Sequence, residues 1–435
     1  MEDTDTARAS AARRGLAAAS PERPLGHIRV VTLPGLPTLF LSRWLADLGA
    51  DVIRIEPPGG DPDRSLGPFL DDCIDENASL MWKNYATGSR SVTADLTSTD
   101  GQHLARLLIA TADVLLEAFN PDTLQARELG VADLLEANPR LIAVSLSPFG
   151  QTGPSADKLS SDLVNLASSG YMHMTGPPED TPLKPSAPYQ SFLHAANHGL
   201  VATLIALRQV RQTGRGVHVD VSARETGIWM LTHTYQHYDF AGVDLKRQGA
   251  ARDMGTAARI RSVFSTLDGY IVWLFQTGPA NAPGLRSLVN LMDESGMAPP
   301  WMHDVPWEEI DLRTADAETR ESYDHVFRAF FATQSKAVLF AWALAHRVML
   351  APVQTLADVM ADPQLESRAS WSELPAASLP NMSLRVPTAP VHMSLSRWFP
   401  RSPAPDSGEH SLQVYRDELG LSARELQLLH STGGL

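Results

Sequence analysis

Apolar residues recur along this chain at two spacings, and the way they alternate predicts its architecture. Residues 28–33 (IRVVTL) form a short β-branched run that reads as a strand. Pro34 to Pro37 turn the chain. Thr38 to Leu48 then reads as a helix, with Leu41, Trp44, Leu45 and Leu48 on one face and Gly49 to end it. Asp51 to Glu56 reads as a second strand with a β-branched interior. Strand, helix, strand over so short a span is a βαβ unit, which implies a parallel sheet. The segment 57–63, PPGGDPD, reads as a loop.

The alternation resumes further on. Strands are predicted at Ser91–Leu96, Val114–Glu117 and Leu141–Ser145, and helices at Ser98–Ala110 and Ala132–Ala137. Pro121 fits a first helical position. From Tyr189 onward, Leu193, Ala196, Leu200, Leu204 and Leu207 fall at helical spacing. They predict one long helix of about six turns. Arg208, Arg211 and Gly214 close it, and Val217–Val221 follows as a strand. This part of the chain is therefore expected to be an open α/β layer structure.

From about residue 225 the texture changes to helices, Pro/Gly loops and a β patch around Phe264–Phe275. The Pro-rich, acidic stretch 277–325 predicts no firm element. Ser335 to His346 reads as a helix, 372–410 as loop-rich, and Leu421–Leu429 as a last helix with the capping box Ser422…Glu425. The expected organisation is a flexible leader over 1–26, a large α/β domain over 27–224, and a small domain over 225–334. Residues 335–435 are expected to return to the large domain.

Length and composition narrow the classes. A chain of 435 residues exceeds one core, so two or three domains are expected. A net charge of −14 argues against nucleic acid or an anionic membrane as partner, and no apolar run is long enough to span a bilayer. The single cysteine, Cys73, excludes an intrachain disulfide framework and fits a reducing, cytoplasmic setting. The first residues carry Arg and Ser but also Glu2, Asp3 and Asp5, and they lack a signal-peptide core.

Candidate chemistry is sparse. His233 and His237, and again His194 and His198, stand four apart, on one helix face. No third ligand follows at a recognisable spacing, so no metal is expected and a structural role is the plain reading of each pair. There is no Gly-x-Gly-x-x-Gly after a strand, no Walker loop and no Gly-x-Ser-x-Gly elbow. The stretch 145–154, SLSPFGQTGP, is a strand end running into a glycine-rich loop, and ligands bind at such ends in open parallel sheets. Arg54, Arg64, Lys83, Arg90 and Arg127 lie near strand ends and loops, where together they could meet a phosphate-rich ligand.

These residues form a familiar series. LADLGADVIRIEP at 45–57 leads to Gly60-Asp61-x-x-Arg64, Arg90-Ser91-Val92, and Ala112-Asp113-Val114-x-x-Glu117-x-Phe119-x-Pro121. Asn138-Pro139-Arg140-Leu141, Phe149 to Pro154, Thr213 to Gly216, Asp268-Gly269-Tyr270, Ala351-Pro352-Val353, Asp362-Pro363-Gln364 and Gly408-Glu409-His410 continue it. In this order they resemble the family III CoA-transferases, a group that includes α-methylacyl-CoA racemases. The resemblance covers residues from about 27 to 435. It implies an α/β fold: a Rossmann-like large domain built from both chain ends, a smaller middle domain, and two subunits threaded through each other as interlocked rings. It implies coenzyme A, carried as an acyl-CoA substrate, and a carboxylic acid as the second substrate. Phe119 and Arg127 match positions near the CoA adenine and phosphates. Arg90 matches the Arg of the family's Lys-Arg-Ser, and Arg64 lies in another shared motif; both are expected to join the CoA site.

The departures concern the chemistry. In the transferases an Asp on the first turn of the central helix attacks the acyl-CoA carbonyl. Here that position counts to Phe192, with Ser191 beside it, and there is no Asp or Glu from Thr181 to Val219. The His-Asp pair of the racemases reads Ser161-Asp162, the Asn of Glu-Asn-Phe is Ala118, and the Lys of Lys-Arg-Ser is Ser89. The resemblance therefore implies a CoA-ester-binding subunit that acts beside an Asp-bearing paralogue, as a homodimer or heterodimer. Two alternatives stand: a CoA-ester isomerase or lyase with Asp162 and His198 as acid and base, and a non-catalytic acyl-CoA-binding partner.

Overall fold

The computed structural model describes residues 8, 20, 22–253, 259–375, 383–396 and 398–435. Most of the expected leader lies outside the described residues. The chain divides into two compact units. One comprises residues 1–171, 185–233 and 363–435, and the other 172–184 and 234–362.

The first unit is built on six parallel strands: β1 (Arg29–Thr32), β2 (Asp51–Glu56), β3 (Ser89–Thr93), β4 (Val114–Glu117), β5 (Ile142–Ser147) and β6 (Val217–Ser222). Their order across the sheet is β3-β2-β1-β4-β5-β6, and every neighbouring pair is parallel. The chain winds outward from β1 in both directions, so the order reverses between β1 and β4. Crevices for ligands open at that reversal, at the carboxyl ends of the strands.

The β-branched runs are buried on both faces, as parallel strands between helical layers must be. Val30, Val52, Val114 and Val144 face the helix Leu36–Asp47 and the central helix Gln190–Thr213. Val31, Ile53, Ile55 and Leu115 face the helix Thr99–Ile109 and, from the far end of the chain, Val414, Tyr415 and Leu419. The Tyr415 hydroxyl donates to the Thr93 carbonyl over 2.8 Å, which fastens this tail to β3. The large α/β body is thus completed by the chain's end.

The central helix follows β5 and feeds β6, so as a crossover it runs against the strands. Its N-terminus therefore stands at the carboxyl rim of the sheet. Gly199 allows its close seat: a Cβ there would lie 2.9 Å from the Leu146 side chain and 3.1 Å from that of Leu41.

The second unit carries a three-stranded antiparallel sheet of Val263–Thr266, Gly269–Trp273 and Leu350–Val353. Its core is aromatic, with Trp273 and Phe327 rings 4.8 Å apart and Phe264 and Phe331 rings 5.2 Å apart. The stretch 277–325, in which no firm element was expected, contains the helix Ala282–Glu294 and the start of Ala317–Phe331. Pro283 lies in the first turn, where its missing N–H costs nothing, and Asp316 caps the second helix by accepting the Thr319 N–H at 2.7 Å. The helix Lys336–His346 buries Leu339 and Ala343 in this aromatic core, so it belongs to the second unit rather than to the returning tail. In the segment expected to be loop-rich, Trp371–Pro375 pairs antiparallel with Ser383–Pro387.

Candidate functional site

Two groups of side chains gather at the carboxyl rim of the large sheet. The first is at the start of the central helix. Tyr189 precedes it in a left-handed conformation, φ 64°, and offers no side-chain cap. The cap comes from another helix, Asp162–Ser168. Asp162 Oδ2 accepts the Tyr189 N–H at 3.0 Å, and Asp162 Oδ1 accepts the Ser191 N–H and the Ser191 hydroxyl, each at 2.8 Å. Helix N-termini leave backbone donors without partners, and a carboxylate is their best acceptor. Asp162 thereby holds the strained Tyr189 in place.

Ser191 is 1% exposed, and Asn165 Nδ2 donates to its oxygen over 3.2 Å. Asn165 Oδ1 accepts in turn from the Ser160 hydroxyl at 2.6 Å. Phe192 packs against the hydrophobic core. His194 lies one turn on, its basicity lowered by burial and then by His198. His198 is exposed, and its Nδ1 pairs with the His194 carbonyl at 2.9 Å. The turn that the resemblance makes catalytic therefore presents a serine and a phenylalanine, and the carboxylate in contact with it, Asp162, comes from outside the helix.

The second group lies across the ends of β4, β5 and β6. Glu117, Ser145 and Asp220 stand side by side in the parallel register. Glu117 is 1% exposed, and its Oε2 accepts the Phe119 N–H at 2.7 Å. Burial pushes its carboxyl up to about 7, against the pull of the Ser145 hydroxyl and the Phe119 N–H. Ser145 Oγ lies 2.8 Å from His218 Nε2. Glu117, Gln125, Gln151 and His218 are among the walls of a cavity of about 80 Å³. Just outside it, the Arg127 guanidinium lies 4.9 Å from the centre of the Phe119 ring, a cation–π pair. Beside β4, Gly35 has φ 141°, and a Cβ on it would come within 2.8 Å of that of Ala118. The loops after β1 and β4 meet there, at the reversal of strand order.

The other two expected CoA-site residues are placed differently. Arg64 is 2% exposed; its Nε and Nη2 bind Glu56 at 2.7 Å each, and Nη2 also reaches the Pro405 carbonyl at 3.0 Å. It stacks 4.0 Å from the centre of the Trp82 ring. Arg90 is bound to Asp51 at 2.7 Å and to Glu418 at 2.5 Å. Asp51 and Arg29 begin β2 and β1, and Arg29 joins the same carboxylates. Arg90 therefore lies at the amino rim, the opposite end of the sheet from Phe119 and Arg127. Both guanidiniums are matched by carboxylates of the chain itself.

Sequence reasoning passed over Asn165, His218 and Asp220, and marked Ser145 only as the start of the strand-end stretch 145–154. A signal was present: Glu117, Ser145 and Asp220 each fall at or near the end of an apolar strand, where a polar residue marks the rim. Among the described residues, no group of three or more His, Cys, Asp or Glu side chains could hold a metal ion. None of the described helices is long and apolar enough to cross a membrane.

The chain has relatives among known proteins. The chain is 31% identical over 410 residues to the succinyl-CoA:(R)-benzylsuccinate CoA-transferase subunit BbsE of Thauera aromatica, covering 94% of this chain and 97% of that one. It is 30% identical to the succinate–glutarate CoA-transferase of Agrobacterium fabrum, covering 90% and 94%. The crystal structure of a CAIB/BAIF family protein from Brucella suis superposes with a TM-score of 0.79 at 25% identity, covering 91% of this chain and all of that one. The pattern of CoA-transferase family III matches residues 25–411, and the chain belongs to that family.

Proposed function

We propose that this chain takes part in moving CoA from an acyl-CoA to a carboxylic acid, as the subunit that brings no attacking carboxylate on its central helix. The observation that carries this reading is the first turn of that helix. Ser191 is buried and hydrogen-bonded, Phe192 packs into the core, and no Asp or Glu occurs between Thr181 and Val219. CoA transfer of this kind needs a carboxylate that attacks the thioester carbonyl. The C–S bond breaks and CoA leaves as the thiolate, giving a mixed anhydride. The thiolate then attacks the enzyme carboxyl carbon of that anhydride, which releases the donor acid and leaves CoA as an enzyme thioester for the acceptor acid to take up. A serine ester is far less activated, and the carboxylate hydrogen-bonded to the Ser191 hydroxyl, Asp162, is also engaged by the Tyr189 and Ser191 N–H groups as the helix cap.

A second subunit with Asp on the equivalent turn supplies the nucleophile in this proposal. The naming of the Thauera relative as a subunit supports it. The two chains form interlocked rings in the cytoplasm, where the exposed thiol of Cys73 stays reduced. Succinyl-CoA is the donor class, because both relatives above are CoA-transferases named for succinyl-CoA or succinate. Phe119 and Arg127 receive the adenine nucleotide end of the CoA ester. Arg64 and Arg90, already matched by carboxylates, hold the frame.

The test compares the chain alone with the chain co-expressed beside an Asp-bearing paralogue, using succinyl-CoA and glutarate or an arylsuccinate as acceptor. Turnover is expected only from the pair. After trapping with hydroxylamine or borohydride, the modified residue should lie on the paralogue. Efficient transfer by the homogeneous chain, with Asp162 carrying the adduct, would overturn the proposal.

A further inference from the structure

The Phe119–Arg127 pair does not hold its own shape. Phe119 sits in the short turn between β4 and the helix Pro121–Gln125, and its main chain is gripped from both sides. Glu117 Oε2 accepts its N–H at 2.7 Å, and Gln151 Nε2 donates to its carbonyl at 3.3 Å. Gln151 is itself fixed, because its N–H donates to Asp220 Oδ2 at 2.9 Å. The Ser145 hydroxyl beside Glu117 draws its carboxyl down against the effect of burial, and His218 Nε2 lies 2.8 Å from the same hydroxyl oxygen. The ends of β4, β5 and β6 are thus tied together through the main chain of Phe119.

We infer that Glu117 and Gln151 are positioning residues for CoA binding, acting by clamping Phe119 so that its ring and the Arg127 guanidinium form a preset platform for the adenine nucleotide. This rests on the reading that Phe119 and Arg127 contact the CoA ester. Several features favour positioning over simple filling of the fold. Glu117 is a buried carboxylate with no cationic side chain bonded to it among the described residues, and burying an unpaired charge is costly unless hydrogen bonds hold it. A leucine would pack the same space without that cost. The Gln151 side chain spends its amide on one carbonyl, that of Phe119. A turn this short, with Ala118 pressed against Gly35, leaves the ring's direction to depend on how the Phe119 peptide is oriented. Holding that peptide before the ligand arrives removes an ordering cost from binding.

The experiment is a double-mutant cycle read by calorimetric titration of CoA into the full-length assembled protein. Phe119→Ala is expected to weaken CoA about tenfold, in line with loss of a base-stacking aromatic. Glu117→Ala is expected to cost a similar factor. Glu117→Gln keeps an acceptor for the Phe119 N–H and is expected to stay within about threefold of the parent. The decisive variant is Glu117→Ala on the Phe119→Ala background, which is expected to cost nothing further, because residues that act through one group are not additive. Gln151→Ala, at a half-buried loop position, gives a second cycle with the same expectation should Glu117→Ala fold poorly.

Losses that multiply across either cycle, or full CoA affinity in both Glu117→Ala and Gln151→Ala, would overturn the inference while leaving the CoA platform standing. Full CoA affinity in both Phe119→Ala and Arg127→Ala would instead refute the platform, and the inference with it.

Discussion

The Ser191 hydroxyl donates to Asp162 Oδ1 over 2.8 Å, at the turn where the family's attacking carboxylate is expected. The same oxygen accepts the Ser191 N–H, and its partner oxygen accepts that of Tyr189. Asp162 therefore serves the helix start as its cap, with three donors on two oxygens.

The two members of this contact should respond unequally to substitution. Ser191→Ala removes one of three bonds to Asp162 and leaves both backbone bonds in place. It is expected to cost about 1 kcal/mol of stability and little activity in the two-subunit enzyme. Asp162→Ala removes the cap and releases the left-handed Tyr189, with an expected loss of about 1–3 kcal/mol. Thermal and urea unfolding of the two variants should separate them in that order. If Asp162→Ala lost activity by orders of magnitude at unchanged stability, Asp162 would be reacting, not capping.

The Arg64–Glu56 pair is a second target. Both side chains are buried, and Ser91 Oγ donates to Glu56 Oε1 at 2.5 Å. Removing one partner leaves the other charge in a dry site. Arg64→Ala or Glu56→Ala should therefore each cost about 3–5 kcal/mol. Arg64→Met combined with Glu56→Leu should recover much of that loss, since neither charge then remains. If Arg64→Ala were instead fully stable and only weakened CoA binding, Arg64 would belong to the ligand site.

The buried Glu117 carboxyl has a definite sign in pH dependence. Its pKa is pushed up from 4.5 to about 7, chiefly by burial. The folded state therefore binds this proton more tightly than the unfolded chain does. The group favours the fold at acid pH, and stability falls as pH rises from about 4.5 through about 7. The loss is of order 1–3 kcal/mol. Glu117→Gln, which does not titrate, should be more stable than the parent above pH 7, and the difference should shrink towards pH 5. A pH-independent difference between the two, followed by urea unfolding, would contradict this.

Assembly offers a further measurement. Interlocked rings bury a large interface and leave little independent stability to one chain. The purified protein should sediment as a dimer, of itself or with its paralogue, that persists on dilution to nanomolar concentration. A folded monomer at that concentration would exclude threaded subunits.

Much of the fold was legible because local physics dictates it. The β-branched runs at β1, β2, β4 and β5 and the leucine spacing of the central helix follow from strand and helix periods that each segment satisfies on its own. Their alternation leaves a parallel sheet as the solution. The absence of any Asp or Glu from Thr181 to Val219 is likewise a property of the chain before it folds. The stretch 277–325 was not legible: its prolines look like loop residues until a first-turn site at Pro283 makes one of them an ordinary helix start. The roles of single side chains were legible least of all. Arg64, Arg90 and Arg127 look alike in the sequence as cations near loops. Only the tertiary structure sends Arg64 to Glu56 and Arg90 to Asp51 at the amino rim, and leaves Arg127 against Phe119 at the other end. The same holds for Asp162, which caps a helix that begins 28 residues later. A side chain's charge and shape are local, but its partner is chosen by which strand ends and helix ends the fold brings within hydrogen-bonding reach. Those distances exist only once the chain has folded.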